Sequence, residues 1–466
     1  MNENFGQWYT DIVINAELID YSGVRGCIIL RPYGYAIWEN ITKILDNRFK
    51  NVGVENVAMP LLIPESLLEK EKNHIAGFAP EVAWVTMGGQ EKLTERLCIR
   101  PTSEVLFCSH FAKIIHSWRD LPKLYNQWCS VVRWEKTSRP FLRSIEFYWQ
   151  EGHAVFAEKH EAKDFTLKML KVYADFFKDI LCIPVFIGQK TESEKFAGAE
   201  ETYTIECMMK DGKALQSATS HYFGTGFSNA FDIVFQDKKN KSSLVSYVSW
   251  GLATRVIGGI IMVHGDNNGL IMPPDVAPIQ IIIIPIKYEE NNEVFKKSNE
   301  IFENLKKDFR VKIDVSSQTP GWKFSEYEMK GVPIRLEIGP KDIEKNQCVL
   351  ARRDSHEKIK CNLDVLNEEL RKIFIKIKLN LYLKAEKFMK SKVFSAKNWE
   401  EMLNLKNSNG FLKTFWCGDK QCEEKVKNEL GLSSRCMPLE QNEIEGICPI
   451  CNKRPAITEI FWGKSY

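Results

Sequence analysis

Nothing in the 466 residues is both long and apolar enough to cross a bilayer. The most apolar short run, IQIIIIPI (279–286), is far too short. The first residues, MNENFGQWYTDIV, lack the basic n-region and apolar h-region of a signal peptide. Charge of one sign is also missing: 64 Lys and Arg against 61 Asp and Glu leave a net charge of +3. Any polyanion must therefore be held by local patches. The thirteen cysteines are odd in number and have no disulfide-framework spacing, which suits a reducing compartment. No internal repeat or low-complexity stretch is visible, so solenoid folds are excluded. These absences leave a soluble, cytoplasmic protein with no membrane partner, long enough for about three domains.

What is present divides the chain. Residues 1 to about 270 mix long amphipathic segments with aromatic-rich strands, and MPPDVAP (272–278) reads as a linker because its prolines disfavour helix. Beyond it, IQIIIIPI reads as a buried strand. A helix follows with Val294, Ile301, Leu305 and Phe309 at helical spacing, and VKIDV alternates like a strand. Strand, helix and strand in that order imply a small α/β domain with parallel pairing. The segment RKIFIKIKLNLYLKAEKFMKSK (371–392) carries eight Lys or Arg against one Glu. It is either the solvated face of an amphipathic helix or a phosphate-facing surface. Clustered cysteines lie at the far end.

The stretch VVRWEKTSRPFLRSIEF (131–147) is the most unusual. Alternation places Arg133 and Glu135 on one side of a strand, and Arg143, Phe147, Trp149, Glu151 and His153 share parity on the returning strand. A face with two arginines, two acids, a Trp and a His is costly to bury empty. An anionic ligand gripped by the arginines resolves the cost, and so does a salt-bridge network among the same residues. The pattern leaves both open. Three more stretches favour the ligand. CIRPTSE puts Thr102 and Glu104 at same-face spacing, LQSATSHYFGTGF carries Gln216, Thr219 and His221, and SWGLATR offers Gly251 and Arg255. Together they supply the cationic clamps, close backbone approach and orienting polar groups that an ATP site needs.

RPYGYAIWENI, IRPTSE, RWE, FLRSIEFYWQEGH, EKFAGAEETYTIE, ALQSATSH and PGWKFSEYEMKGVPIRLEIGPKD run over essentially the whole chain. On them the sequence resembles the prolyl-tRNA synthetase family of class II, in its archaeal and eukaryotic-like subtype. The resemblance implies an α+β catalytic domain with an antiparallel sheet flanked by helices (1–274). An α/β anticodon-binding domain (275–375) and a small α+β zinc-binding C-terminal domain (376–466) would follow. It implies L-proline, ATP with Mg2+ and tRNA(Pro) as partners, and a homodimer through the segment ending at Pro60. Arg133, Arg143 and Arg255 would act on the phosphates, with Glu135, Ser144, Gln216 and Thr219 completing the ATP site. Thr102, Glu104, Trp149, Glu151, His153 and His221, with Arg133, would form the proline pocket, and Phe78 and Glu81 a loop closing over it. Glu337, Lys341 and Arg352 would meet the anticodon, unless they serve their own domain's loops. Ala253 departs from the small hydroxyl residue common in relatives. The short spacing between RWE and SWGLATR leaves no room for an editing insertion. Threonine, glycine or histidine synthetases and a non-catalytic RNA-binding relative are the rival readings. The aromatic and acidic pocket around Trp149 and Glu151 and the absence of catalytic-site zinc ligands argue against threonine, and the retained arginines argue against the non-catalytic relative.

Cys417 and Cys422 are separated by four residues and Cys448 and Cys451 by two, with 25 residues between the pairs. Two such pairs can meet around zinc, and the resemblance assigns them a structural Zn2+. Cys436 is left to packing, and Cys27, Cys98, Cys108, Cys129, Cys182 and Cys207 read as core. Relatives end with a tyrosine that folds toward the active site, so Tyr466 is expected to touch the catalytic domain.

Overall fold

The computed structural model describes residues 4–74, 81–135, 138–289, 292–441, 443–444 and 446–466, with side chains left aside at 71–74. Alternating strands in the first 270 residues pair into a largely antiparallel sheet. In chain order they are Glu55–Asn56 (β1), Lys123–Val132 (β2), Glu146–Phe156 (β3), Phe186–Gln189 (β4), Glu201–Met208 (β5), Ala214–Gly224 (β6) and Ser246–Ala253 (β7). Their spatial order is β4-β5-β6-β7-β3-β2-β1.

The central strands β3, β5, β6 and β7 present one face to the core and one to the site. On β3, Gln150, Gly152 and Ala154 face the core, where helix Lys159–Asp179 packs with Phe165, Met169, Tyr173 and Phe176 at helical spacing. The Tyr173 hydroxyl is hydrogen-bonded to the Gln150 side-chain amide at 2.5 Å. Gly152 faces Trp250 across the β3–β7 pair, and a Cβ there would stand 1.9 Å from the indole ring. Trp149, Glu151 and His153 therefore point the other way. Helix Arg255–His264, apolar on nearly all sides and buried, starts two residues after β7 and fixes Arg255 at its first turn.

The second unit is a five-stranded sheet. Its strands are Ile281–Pro285 (β8), Val311–Ile313 (β9), Ile334–Ile338 (β10), Gln347–Arg352 (β11) and Lys358–Asn362 (β12), in the order β9-β8-β10-β11-β12. β8 pairs in parallel with both neighbours, as the strand–helix–strand pattern requires, while β11 and β12 run antiparallel. The helix before β9 stops at Leu305, so Phe309 lies beyond its end and not on its stripe. A single helix, Leu366–Ser391, runs through position 375. Its Leu370, Ile373, Ile377 and Leu381 belong to the second unit's core, and Phe388 and Met389 pack on the third. A border drawn at 375/376 cuts this helix, because one apolar stripe serves both units.

The third unit contributes Val393–Ser395 (β13), Phe411–Trp416 (β14), Ser433–Pro438 (β15) and Thr458–Gly463 (β16). They extend the first sheet: β15 pairs with β4 through Met437 with Gln189 and Pro438 with Gly188, giving eleven continuous strands. Gly188 is required there, since a Cβ would lie 2.3 Å from the Met437 carbonyl oxygen. Tyr466 closes the join. Its N–H reaches the Ala214 carbonyl at 3.2 Å and its hydroxyl donates to Asp211 at 2.5 Å.

Candidate active site

Parallel parity on adjacent strands builds one cleft of about 210 Å³ on the sheet's open face. It is lined by Thr102, Glu104, Arg133, Trp149, Glu151, His153, Gln216, Thr219, His221 and Arg255, ten of the residues singled out by sequence. β2 stops at Val132. The Arg133 N–H still reaches the Ile145 carbonyl at 2.8 Å, but the Glu135 N–H turns back onto the Arg133 carbonyl at 2.8 Å. Strand alternation thus ends before Glu135, where the chain enters the turn that carries Pro140. Glu135, Arg143 and Ser144 do not line the cleft; Arg143 is exposed, on a turn bridged to Arg139, and Ser144 is buried. Glu81 is exposed, and its carbonyl accepts from the Trp134 N–H at 2.9 Å, beside Arg133. Phe78 lies outside the described residues.

The cations converge without their counter-charge. Arg133 Nε donates to the Pro101 carbonyl at 3.0 Å, and its guanidinium lies 5.2 Å from the Trp149 ring. Arg255 donates to the carbonyls of Leu142 and Gln216 at 3.0 and 3.3 Å. Burial lowers the pKa of Arg255, and the nearby positive charges of Arg133 and Arg143 lower it further. Among the described residues, none of these three arginines has a carboxylate within ion-pairing distance. The self-neutralising network expected as the alternative is not formed by them.

The acids sit deeper. Glu151 is 2 % exposed and accepts from Ser103 at 2.5 Å, Gln127 at 2.6 Å and His153 at 3.0 Å. Burial pushes its carboxyl up, but these hydrogen bonds outweigh burial and hold it below the usual range. Glu104, bonded by the Thr102 hydroxyl, is raised instead by burial and by the Glu151 charge, against the influence of His153. His221 is pulled down to about 3 by burial and by His153, so its ring is neutral at physiological pH. The cleft therefore sets two cations beside buried carboxyl groups and an aromatic ring.

Comparison with known proteins decides the family. Residues 84–264 match the family described as tRNA synthetase class II core domain (G, H, P, S and T), and residues 280–373 match the anticodon binding domain. Residues 399–466 match the prolyl-tRNA synthetase C-terminal domain. The chain is 59% identical to a proline–tRNA ligase 2 of Bacillus cereus, over all of this chain and 98% of that one. The chain belongs to the proline–tRNA ligase family. It is also 58% identical to proline–tRNA ligase of Ruminiclostridium cellulolyticum and 56% to that of Lachnoclostridium phytofermentans, over all of this chain and 97% of each relative.

Sequence reasoning missed part of this ligase-family cleft. Lys190, Glu194, Phe196 and Thr202 also line it. Lys190 Nζ donates to Glu206 Oε1 at 2.6 Å, with both side chains almost wholly buried, and among the described residues Glu206 Oε2 has no hydrogen-bond partner. The motif EKFAGAEETYTIE was the available signal, but its charges look like those of any solvated segment.

Two further sites complete the molecule. The thiols of Cys417, Cys422, Cys448 and Cys451 all lie within 4.8 Å of one another, with Cys417 and Cys422 at 3.7 Å. A tetrahedral zinc with bonds of about 2.3 Å separates its sulfurs by about 3.8 Å, so the set fits that metal. Cys451 is brought down to about 7, because the N–H groups of Arg454 and Lys453 and the neighbouring thiols outweigh burial. Cys436 is fully buried away from the cluster; Cys27 and Cys129 are only half-buried, and Cys129 lies near Glu151 at 3.7 Å. In the second unit, Arg335, Arg352, Arg353, His356 and Lys358 line a cavity of about 140 Å³. Arg352 is held by Asp354 and Glu357, and Glu337 holds Arg335 and Lys358. Lys341 is exposed on the short helix Pro340–Glu344.

Proposed function

We propose that the cleft activates L-proline with ATP and that the chain then transfers proline to tRNA(Pro). The observation that carries this reading is the convergence of Arg133 and Arg255 on one cleft beside a buried Glu104 and Glu151, with Arg143 near enough to act on Arg255 and none of the three ion-paired among the described residues. The prolyl ammonium lies against Glu104, whose buried carboxyl gains from a cation, and the pyrrolidine packs on Trp149 with His153 and His221 nearby. The proline carboxylate, already ionised at neutral pH, attacks the α-phosphorus, and pyrophosphate leaves with its bonding electrons. No general base is needed. Arg133 and Arg143 offset the charge that builds on the phosphoryl oxygens, and Arg255 holds the nucleotide's far side. Magnesium bound to the ATP phosphates supplies further neutralisation. Glu135 accepts from the adenine amine, with Ser144, Gln216 and Thr219 completing the nucleotide site. A ribose hydroxyl at the tRNA 3′ end then attacks the anhydride carbonyl, and AMP departs.

The four cysteines hold a structural zinc, because four thiolates leave no open position. The chain works as a homodimer in the cytoplasm, and it falls in the subtype that lacks an editing insertion. In support of the dimer, Tyr21, Val24 and Ile29 on one short hairpin are each more than half exposed. Residues 1–274 form the catalytic unit, the anticodon-reading unit starts at 275, and helix Leu366–Ser391 is the border it shares with the third. Glu337, Lys341 and Arg352 meet the anticodon bases. The test is ATP–pyrophosphate exchange across a panel of amino acids. Proline should drive exchange well above the rest; exchange with none would point to a non-catalytic binding module.

A further inference from the structure

The four-cysteine unit reaches the cleft through one side chain. Helix Lys420–Leu430 carries Cys422, and the next residue, Glu423, is 7 % exposed. Its Oε1 accepts from the Thr191 hydroxyl at 2.9 Å and the Ser434 hydroxyl at 2.6 Å. No described cation pairs with it. Thr191, itself buried, follows the cleft-lining Lys190, and its carbonyl accepts from the N–H groups of Glu194 and Lys195 at 3.1 and 2.9 Å. Thr191 is thus the root of a loop whose Glu194 and Phe196 form one wall of the cleft. Thr202 ties the other end: it accepts from the Phe196 N–H at 2.9 Å and bonds His221 Nδ1 at 3.1 Å. The Phe196 and His221 rings lie 4.8 Å apart.

We propose that Glu423 is a positioning residue for the amino-acid pocket: the cysteine unit fixes Thr191, and through it the wall that Glu194 and Phe196 set against His221. An apolar side chain would fill this junction at less desolvation cost. What the carboxylate adds is direction, since two hydroxyls from two units are aimed at one oxygen. Cys422 ties the first turn of the helix to the other three thiols, so a metal there also fixes where Glu423 stands. The inference rests on the reading of the cleft as a proline site.

The experiment is proline-dependent ATP–pyrophosphate exchange on the full chain, with metal content measured on the same samples. Glu423→Ala should raise KM for proline about tenfold, leave kcat within about twofold, and keep the metal. Glu423→Gln, whose amide oxygen still accepts both hydroxyls, should restore the wild-type KM. Thr191→Val removes the same bond from the cleft side without touching the cysteine helix, and should reproduce the alanine effect. If Glu423→Ala loses metal or fails to fold, Thr191→Val decides alone. Unchanged proline KM in Thr191→Val, or a fall in kcat with KM unmoved, would overturn the proposal. Exchange absent from the wild type would remove the proline reading itself, a distinguishable failure.

Discussion

His153 Nε2 stands 3.0 Å from Glu151 Oε2, two positions along the same strand, with Phe107 stacked 4.0 Å from the imidazole on the covered side. The pair is buried, and the hydrogen bonds around Glu151 favour its ionised form over burial. A carboxyl depressed in the folded state adds stability above its unfolded value of about 4.3, and loses it as pH falls through the folded value. Glu151→Gln should therefore melt below the wild type at pH 7, with the gap narrowing once the pH drops below about 4. Calorimetric melting from neutral to acid pH tests this; a gap that widens in acid would reverse the assignment.

Arg133 binds the Pro101 carbonyl through Nε, leaving the rest of its fork toward the cleft. Arg133→Ala should lower adenylate formation by about a thousandfold or more while the chain stays folded. Arg133→Lys should not recover it, because an ammonium lacks the bidentate fork. Unfolding of the alanine variant would assign the residue to structure.

Gly152 faces Trp250, and Gly251 faces the cleft. Gly152→Ala should cost about 3 kcal/mol or more, since a Cβ would meet the buried indole and neither strand can move. Gly251→Ala, with nothing nearer than 3.5 Å to its Cβ, should fold normally and weaken ATP binding instead. Urea midpoints and ATP KM values separate the two outcomes.

Elemental analysis should find one zinc per chain, bound by the four converged thiols. Cys422→Ser or Cys448→Ser should lose it and lower the melting temperature, because metal binding is coupled to folding of a small unit. Full metal retention in both variants would place the zinc elsewhere.

Between β3 and β7 the chain holds one long helix, a short one, a small hairpin and strands of the same sheet, with no added domain. The purified protein should leave alanyl-tRNA(Pro) intact while activating alanine measurably, since a few missing carbons discriminate weakly. Rapid enzyme-dependent deacylation would contradict this.

How far the sequence reached depends on the range of the interaction. Alternation on Trp149, Glu151 and His153 was readable because a strand's period is local, and so were the arginines at the two strand ends. The stop after Val132 was not, because it depends on the turn that follows and on Ile145 returning opposite. Glu337 and Arg352 were legible as charged residues, but their partners Arg335, Lys358 and Asp354 are set by strand register.

The sequence alone determined the order of units, which face of each strand is polar, and which cysteines could share a metal, all matters of spacing along one chain. Tertiary structure alone decided that β15 would join β4, that Lys190 would be buried against Glu206, and that Glu423 would reach Thr191 across 232 positions. A charged side chain reads as solvated until the fold removes the water around it, and that removal is a property of packing between distant segments.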